Sequence, residues 1–272
     1  MGKVMVIDIN KCNGCYNCQV VCKDEHVAND WMPYAKPQPD TGQFWTKVTD
    51  VVRGTVPKVK VSYLHDMCQH CDEAPCIEAC SQKAIYKRDD GIVIIDPEKC
   101  RGHKSCVEAC PYQVIYFNDD LNIAQKCTFC AHLLDKGWKE TRCSDACPTG
   151  AFTFGEEKDL KDLISKAEPL RPDLKVKPRV YYIGLPKSFI AGAVYDPEED
   201  ENIEGATATL TNLETGKKST TKTDSYGDFW FKELESGAYS LLIENKGYHS
   251  HKLGPIDATK DVNVGDIKLF KT

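Results

Sequence analysis

No apolar run in this chain approaches the roughly 18 residues needed to span a bilayer, and the amino terminus, MGKVMVIDIN, lacks the apolar core of a secretory signal. Direct membrane insertion is therefore not expected, and a cytoplasmic protein is; export alongside a partner would need no signal here. Gly2 would suit N-myristoylation, but Val6 stands where that motif needs Ser or Thr. A basic stripe is also missing. The 35 Lys and Arg are outweighed by 41 Asp and Glu, a formal charge of −6 that argues against nucleic acid as a partner. From Lys187 onward, 10 Lys and no Arg stand against 15 acidic residues, so most of the charge lies at that end. Its acid-rich stretch around Asp196, Glu198, Glu199, Asp200 and Glu201 reads as a solvated loop. The last 125 residues contain no cysteine, no histidine pair at ligand spacing and no nucleophile with a partner base.

What is present is concentrated. Fifteen cysteines fall within the first 147 residues, in four groups. Cys12, Cys15, Cys18 and Cys22 read C-x2-C-x2-C-x3-C, the thiolate run that wraps an iron–sulfur cluster in bacterial ferredoxins. Cys68, Cys71, Cys76 and Cys80 form the second group. Cys100, Cys106 and Cys110 form the third, with His103 where another ligand would fall. Cys127, Cys130, Cys143 and Cys147 form the fourth, and the last two groups end in Cys-Pro. Two-residue gaps let a curling loop present three thiolates to one cubane, and the last cysteine, leading away, serves the neighbouring cluster. Motifs then work in pairs, so four imply two modules and four sites. A disulfide framework fits poorly, because such domains are small and secreted and the cysteine count here is odd. Structural zinc needs only four ligands, in pairs set further apart.

Three segments follow. Residues 1–157 read as a four-cluster ferredoxin-like domain with an insertion at 29–66. Val4–Ile9 looks like a strand leading into the first motif, and residues 91–96 repeat that arrangement before the third. Short helices are expected after Cys22, Cys80, Cys110 and Cys147. The insertion is rich in Pro and aromatics; a packed surface loop and a docking or cluster-shielding loop fit it equally. Residues 158–187 read as a helix (158–168) and a Pro-rich linker. Residues 188–272 show short alternating stretches at 190–195, 206–213, 219–223, 228–231, 239–244 and 262–269, which predict an antiparallel β-sandwich. The fold class is α+β: two bacterial-ferredoxin-like modules, then the sandwich as a structural or docking unit.

The motifs, with Cys68-x2-Cys71-x3-Pro75-Cys76-x3-Cys80 as the second, resemble the iron–sulfur subunits of the dimethyl sulfoxide reductase superfamily over about the first 155 residues. A narrower likeness is to the small subunits of pyrogallol–phloroglucinol transhydroxylases. It rests on Asp24-Glu25-His26, Trp31, Gln125-Lys126-Cys127, Ala131–Asp135 and Lys177–Tyr182, and on a terminal domain similar to the carboxypeptidase-regulatory-like fold. The resemblance implies a large partner subunit carrying a molybdenum or tungsten bis-pterin, in a heterodimer or higher assembly, and an external electron carrier. It also implies nested pairing: Cys12, Cys15, Cys18 and Cys147 on one 4Fe-4S cluster; Cys22, Cys127, Cys130 and Cys143 on a second; Cys68, Cys71, Cys76 and Cys110 on a third. Cys80, Cys100 and Cys106 would hold a fourth, as 4Fe-4S with His103 or as 3Fe-4S with His103 beside it. Spacing alone equally allows motif one to pair with two and three with four. The transhydroxylase subunits have lost most ligands of the third motif; this chain keeps them.

The expected role is electron transfer between the bis-pterin subunit, a phenolic hydroxylase, dehydroxylase or transhydroxylase suited to anaerobic metabolism, and a redox partner. Two alternatives stay open: clusters that mainly serve structure in a transhydroxylase with no net electron flow, and a free-standing polyferredoxin. The retained fourth site favours wiring, and the sandwich favours a dedicated partner.

Overall fold

The computed structural model describes residues 2–272, which divide into two compact units. One is the chain up to Val51 with Ser62–Leu185; the other is Val52–Val61 with Pro186–Thr272.

The first unit is built around the strand Lys3–Asp8. Val4, Met5, Val6 and Ile7 are all essentially inaccessible. A continuous apolar run belongs to a strand covered on both faces, and this one is central. It pairs antiparallel with Phe152–Glu156 and parallel with Val180–Ile183. The latter lies in the segment read as linker, whose Pro content hid a short apolar strand (VYYI). Two small hairpins, Ile85–Lys87 with Val93–Ile95 and Tyr116–Asn118 with Ile123–Gln125, link the second motif to the third and the third to the fourth. The expected helix at 158–168 is a single turn, Lys161–Ile164, with no buried residue to anchor more. The insertion is not a simple loop: Thr46–Thr55 and Lys58–Met67 pair as a hairpin.

The helices of the motifs sit earlier than expected. Pro75–Glu78, Ser105–Ala109 and Arg142–Asp145 each carry the next-to-last cysteine and stop before the last one; only Asn17–Val27 runs on past Cys22. After Cys80, Cys110 and Cys147 the chain turns back instead, with the carbonyl of each accepting from the residue three further on (Lys83, Gln113, Gly150). A hairpin or strand follows at once, leaving no length for a helix.

In the second unit, Ser188–Asp196 pairs antiparallel with Asp228–Leu234 and with Glu201–Asn202 at the margin but parallel with Val262–Lys268, so this sheet is mixed rather than antiparallel as expected. A second four-stranded sheet runs Lys218–Lys222, Thr207–Asn212, Ala238–Glu244, His251–Asp257. Period-two alternation places Ala208, Leu210, Leu241 and Ile243 in one apolar core with Ile190, Val194 and Phe229. His251–Asp257 escaped the pattern because it contains Gly254-Pro255, which is tolerated where it lies, on the sheet edge. Among the described residues, no helix is long and apolar enough to cross a membrane.

Candidate iron–sulfur sites

Each cysteine motif builds the same local frame. The second residue after the first cysteine is left-handed every time: Gly14, His70, Gly102 and Phe129 at φ between +46° and +73°. The third residue after the last cysteine is left-handed in three motifs: Lys83, Gln113 and Gly150. Such conformations are costly for bulky residues such as His and Phe and persist where function requires them. Here they turn backbone N–H groups toward sulfur, making anion-receptive nests. His70 and Phe129 donate to Cys68 and Cys127 Sγ at 3.5 and 3.4 Å, and Ala84 and Ala151 to Cys80 and Cys147 Sγ, both at 3.3 Å.

These frames bring the thiols together in sets drawn from different motifs. Cys12 lies near Cys15 and Cys147, and burial, then the charge of Cys143, Cys12 and Cys147, pushes the Cys18 thiol up to about 12. Cys22, Cys127, Cys130 and Cys143 line a hollow of about 280 Å³. All four are buried, and burial first, then mutual repulsion, holds Cys22, Cys127 and Cys130 well above the ordinary thiol range. Cys68, Cys71, Cys76 and Cys110 line a hollow of about 350 Å³. Cys80, Cys100 and Cys106 line one of about 320 Å³ with His103. Motif one thus meets motif four, and motif two meets motif three.

His103 occupies a frame that repeats that of Cys15. Gly102 and Lys104 flank it at φ +73° and 59°, as Gly14 and Tyr16 flank Cys15 at +70° and 60°. Its Nδ1 lies 3.2 Å from Ser81 Oγ.

Several further residues at these sites were not read as site residues from the sequence; Trp45, Thr46 and His65 reach the thiols from elsewhere in the chain, whereas His26 follows Cys22 by one helical turn. Thr46, Trp45 and His26 line the hollow of Cys22. His65 is inaccessible, with Nε2 3.4 Å from Cys12 Sγ and Nδ1 3.9 Å from Cys18 Sγ. Burial lowers its ring to about 4. Thr141 caps Arg142–Asp145 and also meets Cys143 Sγ at 3.1 Å. The pattern Thr141-Arg-Cys-Ser144 is a reciprocal capping signal that could have been read.

The residues present fit clusters. Among the described residues no three His, Cys, Asp or Glu side chains converge to hold a single metal ion; the thiols stand back around hollows. The buried hydroxyl of Thr128 and Nδ1 of His26 have no hydrogen-bond partner, yet both residues line the Cys22 hollow; the buried Tyr112 hydroxyl, on the Cys68 hollow, is likewise unpartnered. Unpaired buried polar atoms are rare in folded proteins, and sulfide acceptors would satisfy donors so placed.

Residues 59–157 match the family described as 4Fe-4S dicluster domain, and 190–269 the carboxypeptidase regulatory-like domain. Over 278 aligned residues the chain is 38% identical to the pyrogallol hydroxytransferase small subunit of Pelobacter acidigallici, covering 97% of this chain and 98% of that one. The chain belongs to the iron–sulfur subunits of the dimethyl sulfoxide reductase superfamily. One tetrathionate reductase subunit, from Salmonella typhimurium, is 34% identical over 68% of this chain and 74% of its own length. The arsenate respiratory reductase iron-sulfur subunit of Shewanella sp. is 32% identical over 66% and 94%. As a member, the chain carries iron–sulfur clusters, transfers electrons and works beside a catalytic partner subunit.

Proposed function

We propose that the chain holds four clusters and wires a molybdenum or tungsten bis-pterin subunit to an external electron carrier. The first three would be 4Fe-4S clusters on Cys12, Cys15, Cys18 and Cys147; on Cys22, Cys127, Cys130 and Cys143; and on Cys68, Cys71, Cys76 and Cys110. The fourth would rest on Cys80, Cys100 and Cys106, with His103 as the fourth ligand or beside a 3Fe-4S cluster. When bound, each cluster accepts and returns one electron. The chain's part is to supply thiolates, exclude water with Trp45, Phe129 and Val93, and donate backbone hydrogen bonds to sulfur, which raises potential. We read the first unit as two ferredoxin-like modules and the two sheets of the second as a sandwich that docks or braces. The protein would act in the cytoplasm, or across a membrane if a partner carries it.

The observation that carries this reading is the fourth hollow, which keeps three thiols and an imidazole: an extra centre serves a chain of carriers, not a scaffold. The near-full-length likeness to a hydroxytransferase small subunit favours a phenolic substrate. It also supports a second reading, in which the partner shifts a hydroxyl internally and the clusters mainly brace it.

The test is co-purification. The tagged chain, isolated anaerobically from its source, should bring down a large subunit containing molybdenum or tungsten. Alone, it should take up and release electrons but turn over no phenol. Turnover by the isolated chain refutes the proposal. Clusters in the complex that substrate neither reduces nor reoxidises would decide for the bracing role.

A further inference from the structure

Lys126 precedes Cys127 and is 2% exposed. Its Nζ donates to the carbonyl oxygens of Val93 and of Cys127, the latter at 3.0 Å. Val93 lines the hollow of Cys68, Cys71, Cys76 and Cys110, whereas Cys127 lines that of Cys22, Cys130 and Cys143. The amine therefore stands in the wall between the second and third sites. The same wall contains His70, from the gap between Cys68 and Cys71, packed at 3.8 Å between ring centroids on Phe129, from the gap between Cys127 and Cys130.

Neighbouring cations are neutralised. Lys87 and Arg179 both pair with Asp72, at 2.8 and 2.5 Å. Among the described residues Lys126 has no carboxylate within 4.0 Å. A buried charge without a counter-charge is costly, and two carbonyl dipoles only soften that cost.

We propose that Lys126 is the fixed counter-charge shared by the second and third clusters, holding both reduction potentials up where electrons pass between the two halves of the iron–sulfur unit. The inference rests on the four-cluster reading. A cluster held by four thiolates is anionic, and each electron it accepts adds negative charge. A cation set between two such groups, in an interior that screens weakly, stabilises the reduced form of each.

The full-length chain, purified anaerobically as wild type, Lys126→Met and Lys126→Gln, would be titrated potentiometrically with paramagnetic resonance detection of each cluster. Methionine removes charge and donor together; glutamine keeps a donor for the carbonyls and removes only the charge. Both variants are expected to retain wild-type iron while two of the four potentials fall. The fall should be about tenfold or more in the reduction equilibrium constant, about 59 mV for a one-electron couple. Four unchanged potentials overturn the proposal. So does a fall in the methionine variant alone, which would make Lys126 a hydrogen-bond donor only, or loss of clusters from both variants, which would make it a structural strut. Wild-type iron short of four clusters counts instead against the reading beneath, and that is measured separately.

Discussion

His103 shows how far a single residue can be read from spacing. Its position in Cys100-x2-His103-x2-Cys106 marked it, and the structure gives it the backbone of a ligand, with Gly102 and Lys104 in the left-handed conformations that flank Cys15 in the first motif. Ser81 engages Nδ1 and leaves Nε2 for a metal, the arrangement in which an outer partner fixes the tautomer of a ligating histidine. If His103 binds iron, His103→Cys should keep a 4Fe-4S cluster there at lower potential, by about tenfold or more in the reduction equilibrium constant, because thiolate replaces neutral imidazole. Potentiometry checks this. An isotropic 3Fe-4S signal from oxidised wild type, at one spin per chain before any damage, contradicts it. Lys126, Thr46 and His65 were not legible as site residues in this way. Lys126 entered the sequence reading only within Gln125-Lys126-Cys127 as part of a family likeness, and only the folded chain reveals that it is buried without a carboxylate.

The elements were legible in proportion to how local their cause is. Strand Lys3–Asp8 and six of the strands after Ser188 follow from alternation or β-branched runs. Strand Val180–Ile183 did not, because Pro-rich surroundings mask a short pairing that a distant strand stabilises; the hairpin at Thr46–Met67, rich in Val, was legible but was passed over in an insertion read by the Pro and aromatic residues that precede it. The helices were misplaced because spacing says where ligands must be, while left-handed residues at fixed offsets decide where a helix can begin. Gly14 tests that frame. At φ +70° a side chain is strained, and an added Cβ would run into the Tyr63 ring; at Gly42, φ +86°, a Cβ would meet nothing within 4 Å. Gly14→Ala should therefore lower unfolding stability by about 1–3 kcal/mol and deplete iron, whereas Gly42→Ala should cost less and keep iron. Equal effects in thermal unfolding and iron content would show that the left-handed turn, not the Tyr63 approach, sets the cost.

For the molecule as a whole, two cysteine-bearing halves are interleaved rather than placed side by side. Cys22 crosses to the thiols of the fourth motif and Cys147 returns to those of the first; Cys80 and Cys110 exchange in the same way between the second and third. Spacing left this pairing open, since a last cysteine announces only that it leaves its own loop. The proposed nested pairing is supported by strands Lys3–Asp8 and Phe152–Glu156, which pair and so bring the ends of the cysteine-bearing region together. The central claim is that all four sites are filled. Iron and acid-labile sulfide per chain, measured on anaerobically purified protein, test it most directly. The account predicts about 15 to 16 irons with matching sulfide. About 12 irons, or stoichiometric zinc with little sulfide, would contradict it.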